Sequence, residues 1–223
     1  MFNRPNATIL CLILGIAISP TGLTQAFDIQ FIDNDNQPVQ FAVVVDTRTP
    51  VTSTDSNETQ SQSSAIIDQI NMQFSPMVIA VSKGENVSFP NSDNIRHHVY
   101  SFSKAKRFET KLYANKPEAP VLFDEAGIVV LGCNIHDSMI GYIFVSPWQD
   151  FAISDDQGLA TLNSKKPPIT LEYWHPWSLT PNQVNTLEVK QWPTDGPLVI
   201  QLMLNKPQAA PVMKTFKRGF GSP

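Results

Sequence analysis

Residues 128–145 read IVVLGCNIHDSMIGYIFV. Two runs rich in β-branched and aromatic residues, 128–131 and 142–145, have the composition of strands. Between them GCNIHDSM (132–139) places Cys133, His136 and Met139 within a short stretch of chain. The two residues separating Cys133 from His136 let the chain turn just after a strand, so that a sulfur and a ring nitrogen can reach one ion while Met139 approaches from an axial direction. A soft sulfur, a borderline nitrogen and a weak thioether suit copper in both redox states, and one further imidazole would complete a Cys, His, His, Met set. Zinc is the rival metal: it takes Cys and His readily but gains little from a thioether and prefers four strong donors. Each residue alone has a plainer reading, the cysteine as a small core hydrophobe and the methionine as packing.

The missing imidazole should come from another strand. His97 and His98 lie in FPNSDNIRHHVYSF (89–102), between two strand-like runs. Alternation along a strand allows only one of them to face the interior, and the sequence leaves open which. Similar runs recur at 28–32, 41–45, 78–81, 87–89, 98–102, 169–174 and 198–204, separated by Pro, Gly, Asn and Asp. The pattern predicts an all-β chain. One helix is expected, around 105–113.

Residues 1–26 read as an export leader: Arg4, an apolar run over 9–18, then a small-residue exit ending Thr24, Gln25, Ala26. The run falls short of the roughly 20 apolar residues that span a bilayer. The expectation is a periplasmic or secreted protein with no stable membrane anchor after cleavage. Cys11 would leave with the leader, so Cys133 would remain as an unpaired thiol with no intramolecular disulfide available. His136 and Met139 favour a bound metal as the reason for that thiol. The net charge of −4, or −5 without Arg4, and the lack of a strong basic block argue against a nucleic-acid partner.

Residues 47–64, TRTPVTSTDSNETQSQSS, are almost wholly polar and are expected to form a loop or linker. A second boundary is expected after Val145. Segment 151–174 sets an Asp-Gln-Gly turn between short strands, and 27–45 has a comparable form around 36–38. Both resemble strands of small carboxypeptidase-regulatory or transthyretin-like β-sandwiches. The expected organisation is therefore a leader (1–26), a β segment with a polar linker (27–65), a metal-binding domain (66–147), an accessory β segment (148–205) and a flexible tail (206–223). The accessory domain would be split, pairing 148–205 with 27–46 around the inserted metal domain.

From Val81 to Val145 the chain resembles the cupredoxins, the superfamily of plastocyanin, pseudoazurin and amicyanin. Lys83-Gly84 through Val87 and Phe89-Pro90-Asn91 resemble the strand leading to the first copper histidine, and His97 falls at that position. Leu122 to Ile128 resembles the approach to the ligand loop, and Gly141 to Val145 the closing strand. Cys133, His136 and Met139 have the short amicyanin-like spacing. The phrases RHHVYSFS, LGCNIHD and WHP are similar to those of cupredoxin-containing proteins called methylamine-utilisation or plastocyanin-like proteins, a label that does not itself supply a substrate. The resemblance implies a Greek-key β-sandwich with a smaller accessory sandwich. It implies one copper ion held by His97, Cys133, His136 and Met139, with His98 as rival to His97. By the same resemblance His136 would be the electron port, beside a small apolar surface that includes Ile140.

This sequence departs from the cupredoxin pattern twice. His98 stands where an Asn usually braces the ligand loop, and Gly132 stands where an aromatic or His usually precedes the cysteine, opening space against the ligand strand. The functional expectation is a non-enzymatic one-electron carrier with an unidentified redox partner protein. The alternative is a copper-handling protein for storage, delivery or sensing. Arg96, Lys104, Lys106 and Arg107 form a basic patch that would suit an acidic partner. His175, between Trp174 and Trp177, is expected to pack at a sandwich edge where a strand ends at Pro176.

Overall fold

The computed structural model describes residues 26–51, 65–114, 119–163 and 167–205. The expected leader except its last residue, the polar run from 52 to 64, and the tail 206–223 lie outside the described residues. Among the described residues every regular element is a strand, in keeping with the all-β class expected, and no helix is long and apolar enough to cross a membrane.

The first flank contributes β1 (Phe27–Ile32) and β2 (Val43–Pro50). The central part contains β3 (Ala65–Ile66), β4 (Asp68–Ile70), β5 (Gln73–Ser75), β6 (Val78–Ser82) and β7 (Glu85–Ser88). It continues with β8 (Val99–Phe102), β9 (Arg107–Glu109), β10 (Val121–Phe123), β11 (Gly127–Cys133) and β12 (His136–Ser146). The second flank holds β13 (Trp148–Ile153), β14 (Leu159–Leu162), β15 (Ile169–Trp174), β16 (Asn185–Val189) and β17 (Leu198–Gln201).

The opening stretch folds as a hairpin. Gly127 faces Val145 and Gly132 faces Ile140 in continuous antiparallel register, which then shifts so that Cys133 faces His136. Period-two alternation turns Val129, Leu131 and Cys133 into the core and leaves Val130 exposed. This hairpin lies inside a five-stranded sheet ordered β6-β12-β11-β8-β9, in which β12 and β6 run parallel. A second sheet, β10-β7-β3, contributes to the same core, which includes Val81, Val87, Phe89, Val99, Phe123 and Ile143. Parallel neighbours cannot be joined by a tight turn, so the chain crosses between sheets on its way from β6 to β12.

The helix expected over 105–113 is a strand instead. β9 pairs antiparallel with β8, Phe102 facing Arg107 and Tyr100 facing Glu109. Arg107 and Glu109 are exposed on either side of Phe108, whose ring stacks on Phe89 at 5.6 Å and meets Phe123 edge-on at 6.1 Å. A free sheet edge and an aromatic socket outweigh the weak helical preference of the Ala-Lys-Arg run.

The flanks build a second sandwich. Sheet β14-β1-β17 and sheet β13-β2-β15-β16 enclose Ile29, Phe31, Val44, Ala160, Leu162 and Leu171. β2 lies between β13 and β15, with Val45 facing both Phe151 and Glu172. It also runs four residues into the stretch expected to be a loop, because Thr47–Pro50 continue along β13 and β15 as far as the Trp148–Pro50 pair.

The two sandwiches share a third core. Along β2, Val44 faces the accessory interior while Val43 and Val45 face the other way, against Val78, Phe144 and Trp174. β12 is likewise covered on both faces, with Ile143 and Val145 in the central core and Phe144 in the shared one. Trp174 is the centrepiece: its ring lies 5.8 Å from Tyr142 and 6.1 Å from Phe144, and its indole N–H donates to the Pro181 carbonyl at 2.6 Å.

Candidate metal centre

The bulge between Gly132 and Cys133 ends β11 with the thiol turned inward, and the two-residue connection returns the chain at once to His136. On its other side Cys133 pairs with Val99 of β8, which brings the chain just before β8 alongside. His97 is fixed there by its main chain: its N–H donates to the Tyr113 carbonyl and its carbonyl accepts from the Tyr113 N–H, each at 3.0 Å. Its side chain is wholly buried.

The donor atoms converge. His97 Nδ1 lies 3.6 Å from Cys133 Sγ, and His136 Nδ1 lies 3.9 Å from the same sulfur. All three lie within 4.8 Å of one another. Metal bonds of about 2.3 Å to sulfur and about 2.0 Å to nitrogen, opening at roughly 110–130°, would set sulfur and nitrogen about 3.6–3.9 Å apart. The observed spacings fit one shared ion. Met139 is buried in the same core cluster as Cys133. The group is closed over, with only His136 partly exposed.

His98 faces the other way. Its Nε2 lies 3.0 Å from Glu109 Oε1, its ring lies beside Tyr100, and its Nδ1 is buried without a partner. The structure thus brings His97, Cys133 and His136 together and leaves His98 outside the group. The space expected beside Gly132 is filled: a Cβ there would lie 2.7 Å from the Tyr100 ring and hydroxyl, reaching in from the neighbouring strand.

Sequence reasoning passed over the residues that hold the first histidine. Asn91, buried, donates through Nδ2 to the carbonyls of Ile95 and Tyr113 and accepts the Asp93 N–H. Asp93 Oδ2 lies 2.7 Å from His97 Nε2. Burial opposes the charge on Asp93, but the Met72 N–H, the His97 ring and the Asn71 N–H outweigh it and hold the carboxyl below the usual range. Tyr113 accepts from Gln69 Nε2 and donates to the Phe89 carbonyl, and burial pushes its phenol up to about 12. The signal available in sequence was the Asn-Ser-Asp-Asn run ahead of His97, a set of short polar side chains suited to bonding nearby backbone.

The surface around the group is mixed: Ile135 and Ile140 are exposed beside Asn134, Asp137 and Ser138 in the chain, and a groove of about 430 Å³ lined by Tyr100, Phe102, Val130, Asp137 and Ile140 reaches Cys133 and Met139. Of the four residues expected to form a basic patch, Lys106 pairs with Asp124 at 3.0 Å, and Arg96, Lys104 and Arg107 are exposed.

Solved structures similar to this chain include copper-containing proteins. The Cu-containing nitrite reductase from Thermus scotoductus SA-01 shares 23% identity at a TM-score of 0.35, over 37% of this chain and 22% of that one. A purple cupredoxin from Nitrosopumilus maritimus shares 21% at 0.34, over 37% of this chain and 99% of its own. A reduced Cu(I) form of a mutant amicyanin shares 17% at 0.35, over 46% of this chain and 98% of its own. This chain thus spans about a fifth of the nitrite reductase. No family model and no curated protein matches it. At such scores the side chains themselves must carry the functional reading.

His175 belongs to the accessory half and takes no part in the cluster. It is fully buried; its Nε2–H donates to the Gln40 carbonyl at 2.9 Å and its Nδ1 accepts the Trp177 N–H at 3.1 Å, which fixes a neutral ring. Burial pushes its pKa from 6.5 down to about 4, against the upward pull of the Gln40 carbonyl. An unfolded chain binds this proton between those values and the folded chain does not. The stabilisation is therefore complete above pH 6.5 and is lost as pH falls toward 4, by about 3 kcal/mol. Urea unfolding at pH 7 and 4.5 should show this loss in the natural chain, and a smaller one in His175→Gln.

Proposed function

We propose that this chain is a type 1 (blue) copper protein that carries single electrons, exported to the periplasm or beyond, and not an enzyme. The carrying observation is the convergence of His97 Nδ1, Cys133 Sγ and His136 Nδ1 at separations suited to one ion; Met139 is buried in the same hydrophobic core as Cys133. The donor chemistry favours copper: one thiolate, two imidazoles and a thioether serve both Cu(I) and Cu(II).

Copper, when bound, supplies the one-electron change. The chain's part is to hold its donors on and beside paired strands so that their positions hardly alter with charge, with Cys133 and Met139 buried. His136 is partly exposed, next along the chain to the exposed Ile135. A partner meeting this surface, with acidic groups toward Arg96 and Lys104, would dock weakly and briefly. The likeness to methylamine-utilisation proteins adds no substrate to this reading.

Titration of the leader-free chain with Cu(II) should produce an intense visible thiolate-to-copper band that a mild reductant bleaches and reoxidation restores. Cys133→Ala should lack it. Tight Cu(I) binding without the band would replace the carrier with copper handling, and a stable zinc complex with no copper spectrum would sink both.

A further inference from the structure

We infer that Asp93 is a positioning residue for the metal centre: its carboxylate selects Nδ1 of His97 as the ligand atom and biases the site toward Cu(II). The inference rests on the copper reading above and adds to it a residue outside the donor set.

An ionised carboxylate only accepts hydrogen bonds. With Asp93 Oδ2 at 2.7 Å, Nε2 of His97 must carry the ring proton. That leaves the lone pair on Nδ1, the atom 3.6 Å from Cys133 Sγ. The carboxylate is itself anchored. Oδ1 accepts the Asn71 N–H at 2.6 Å and Oδ2 accepts the Met72 N–H at 2.9 Å. Asn71 and Met72 form the turn joining β4 to β5, both with positive φ, 54° and 58°, so their two amides point to the same side. Asp93 therefore ties that hairpin to the ring of His97, whose backbone is held independently by Tyr113. The ring has neither a free tautomer nor a free rotation.

The two imidazoles of the cluster are treated differently. Among the described residues the histidines within ion-pair reach of a carboxylate are His97 and His98, and His136 has no such partner. A fixed negative charge against the far side of a ligand imidazole strengthens it as a donor and favours the more positive oxidation state. The His97 ring is fully buried while the Asp93 side chain keeps 13% exposure, so water screens the pair in part and the effect is moderate.

The test replaces the charge and keeps the shape. Asp93→Asn, loaded with copper, should keep the visible band while its Cu(I)-to-Cu(II) affinity ratio rises about tenfold, equivalent to about 59 mV in a one-electron couple. A normal band with a ratio unchanged within twofold overturns the inference. A natural chain that gives no band at all fails the copper reading instead. If Asp93→Asn does not fold or load, nitrogen-15 NMR of the metal-free natural chain decides. A slowly exchanging proton on Nε2 of His97 supports the inference, and a proton on Nδ1 overturns it.

Discussion

His97→Ala is expected to lose the visible copper band and to bind Cu(II) more than about 100-fold less tightly, whereas His98→Ala keeps both. The lower bound follows from ligand chemistry: disturbing even the outer partners of metal ligands costs about 10–100-fold in affinity, and His97 would be a ligand itself. Its loss also strips Asp93 of the ring it bonds at 2.7 Å, leaving a carboxylate held by the Asn71 and Met72 amides alone. The natural chain and both variants can be compared by Cu(II) titration against a competing chelator. His98 pairs with Glu109, whose side chain is 68% exposed, so loss of that pair costs at most about 1 kcal/mol. A band that survives His97→Ala and vanishes in His98→Ala would reverse the assignment.

Trp174→Ala should destabilise the chain by about 3–5 kcal/mol, the range for deleting a large buried aromatic. Trp174 is 1% exposed and joins strands of both sandwiches, lying against Tyr142 and Phe144 on one side and with Val43 and Val45 on the other. The variant also leaves the Pro181 carbonyl without its indole donor. Because the loss falls on the core that couples the halves, urea unfolding should change from one transition to two when followed by both copper absorption and far-ultraviolet circular dichroism. Coincident transitions in the variant would show that Trp174 does not couple them.

The parts legible in sequence were those fixed by neighbours along the chain. Alternating β-branched residues revealed the hairpin around Cys133, and the Cys133–His136 spacing pointed to two of the three side chains whose donor atoms converge. Strand alternation did not choose between His97 and His98, and the resemblance alone favoured His97, because the choice depends on the pairing of Val99 with Cys133 that brings His97 to a sulfur 36 residues away. The helix expected over 105–113 failed for a similar reason: Phe108 takes its conformation from Phe89 and Phe123, distant in sequence. Gly132 looked like an opening because nothing adjacent in sequence fills it, and Tyr100 comes from another strand. The run Val43-Val44-Val45 carried a hint of the shared core, since three buried valines in succession cannot all face one interior.

The chain leaves the accessory half along β2 and returns along β13, and these strands are neighbours, with Pro50 facing Trp148. The central sandwich is thus a cassette whose entry and exit lie side by side, backed by the wedge of Trp174. That shared core of Val43, Val45, Val78, Phe144 and Trp174 lies behind β12, so a pull on the accessory half is felt first by the strand that begins at His136.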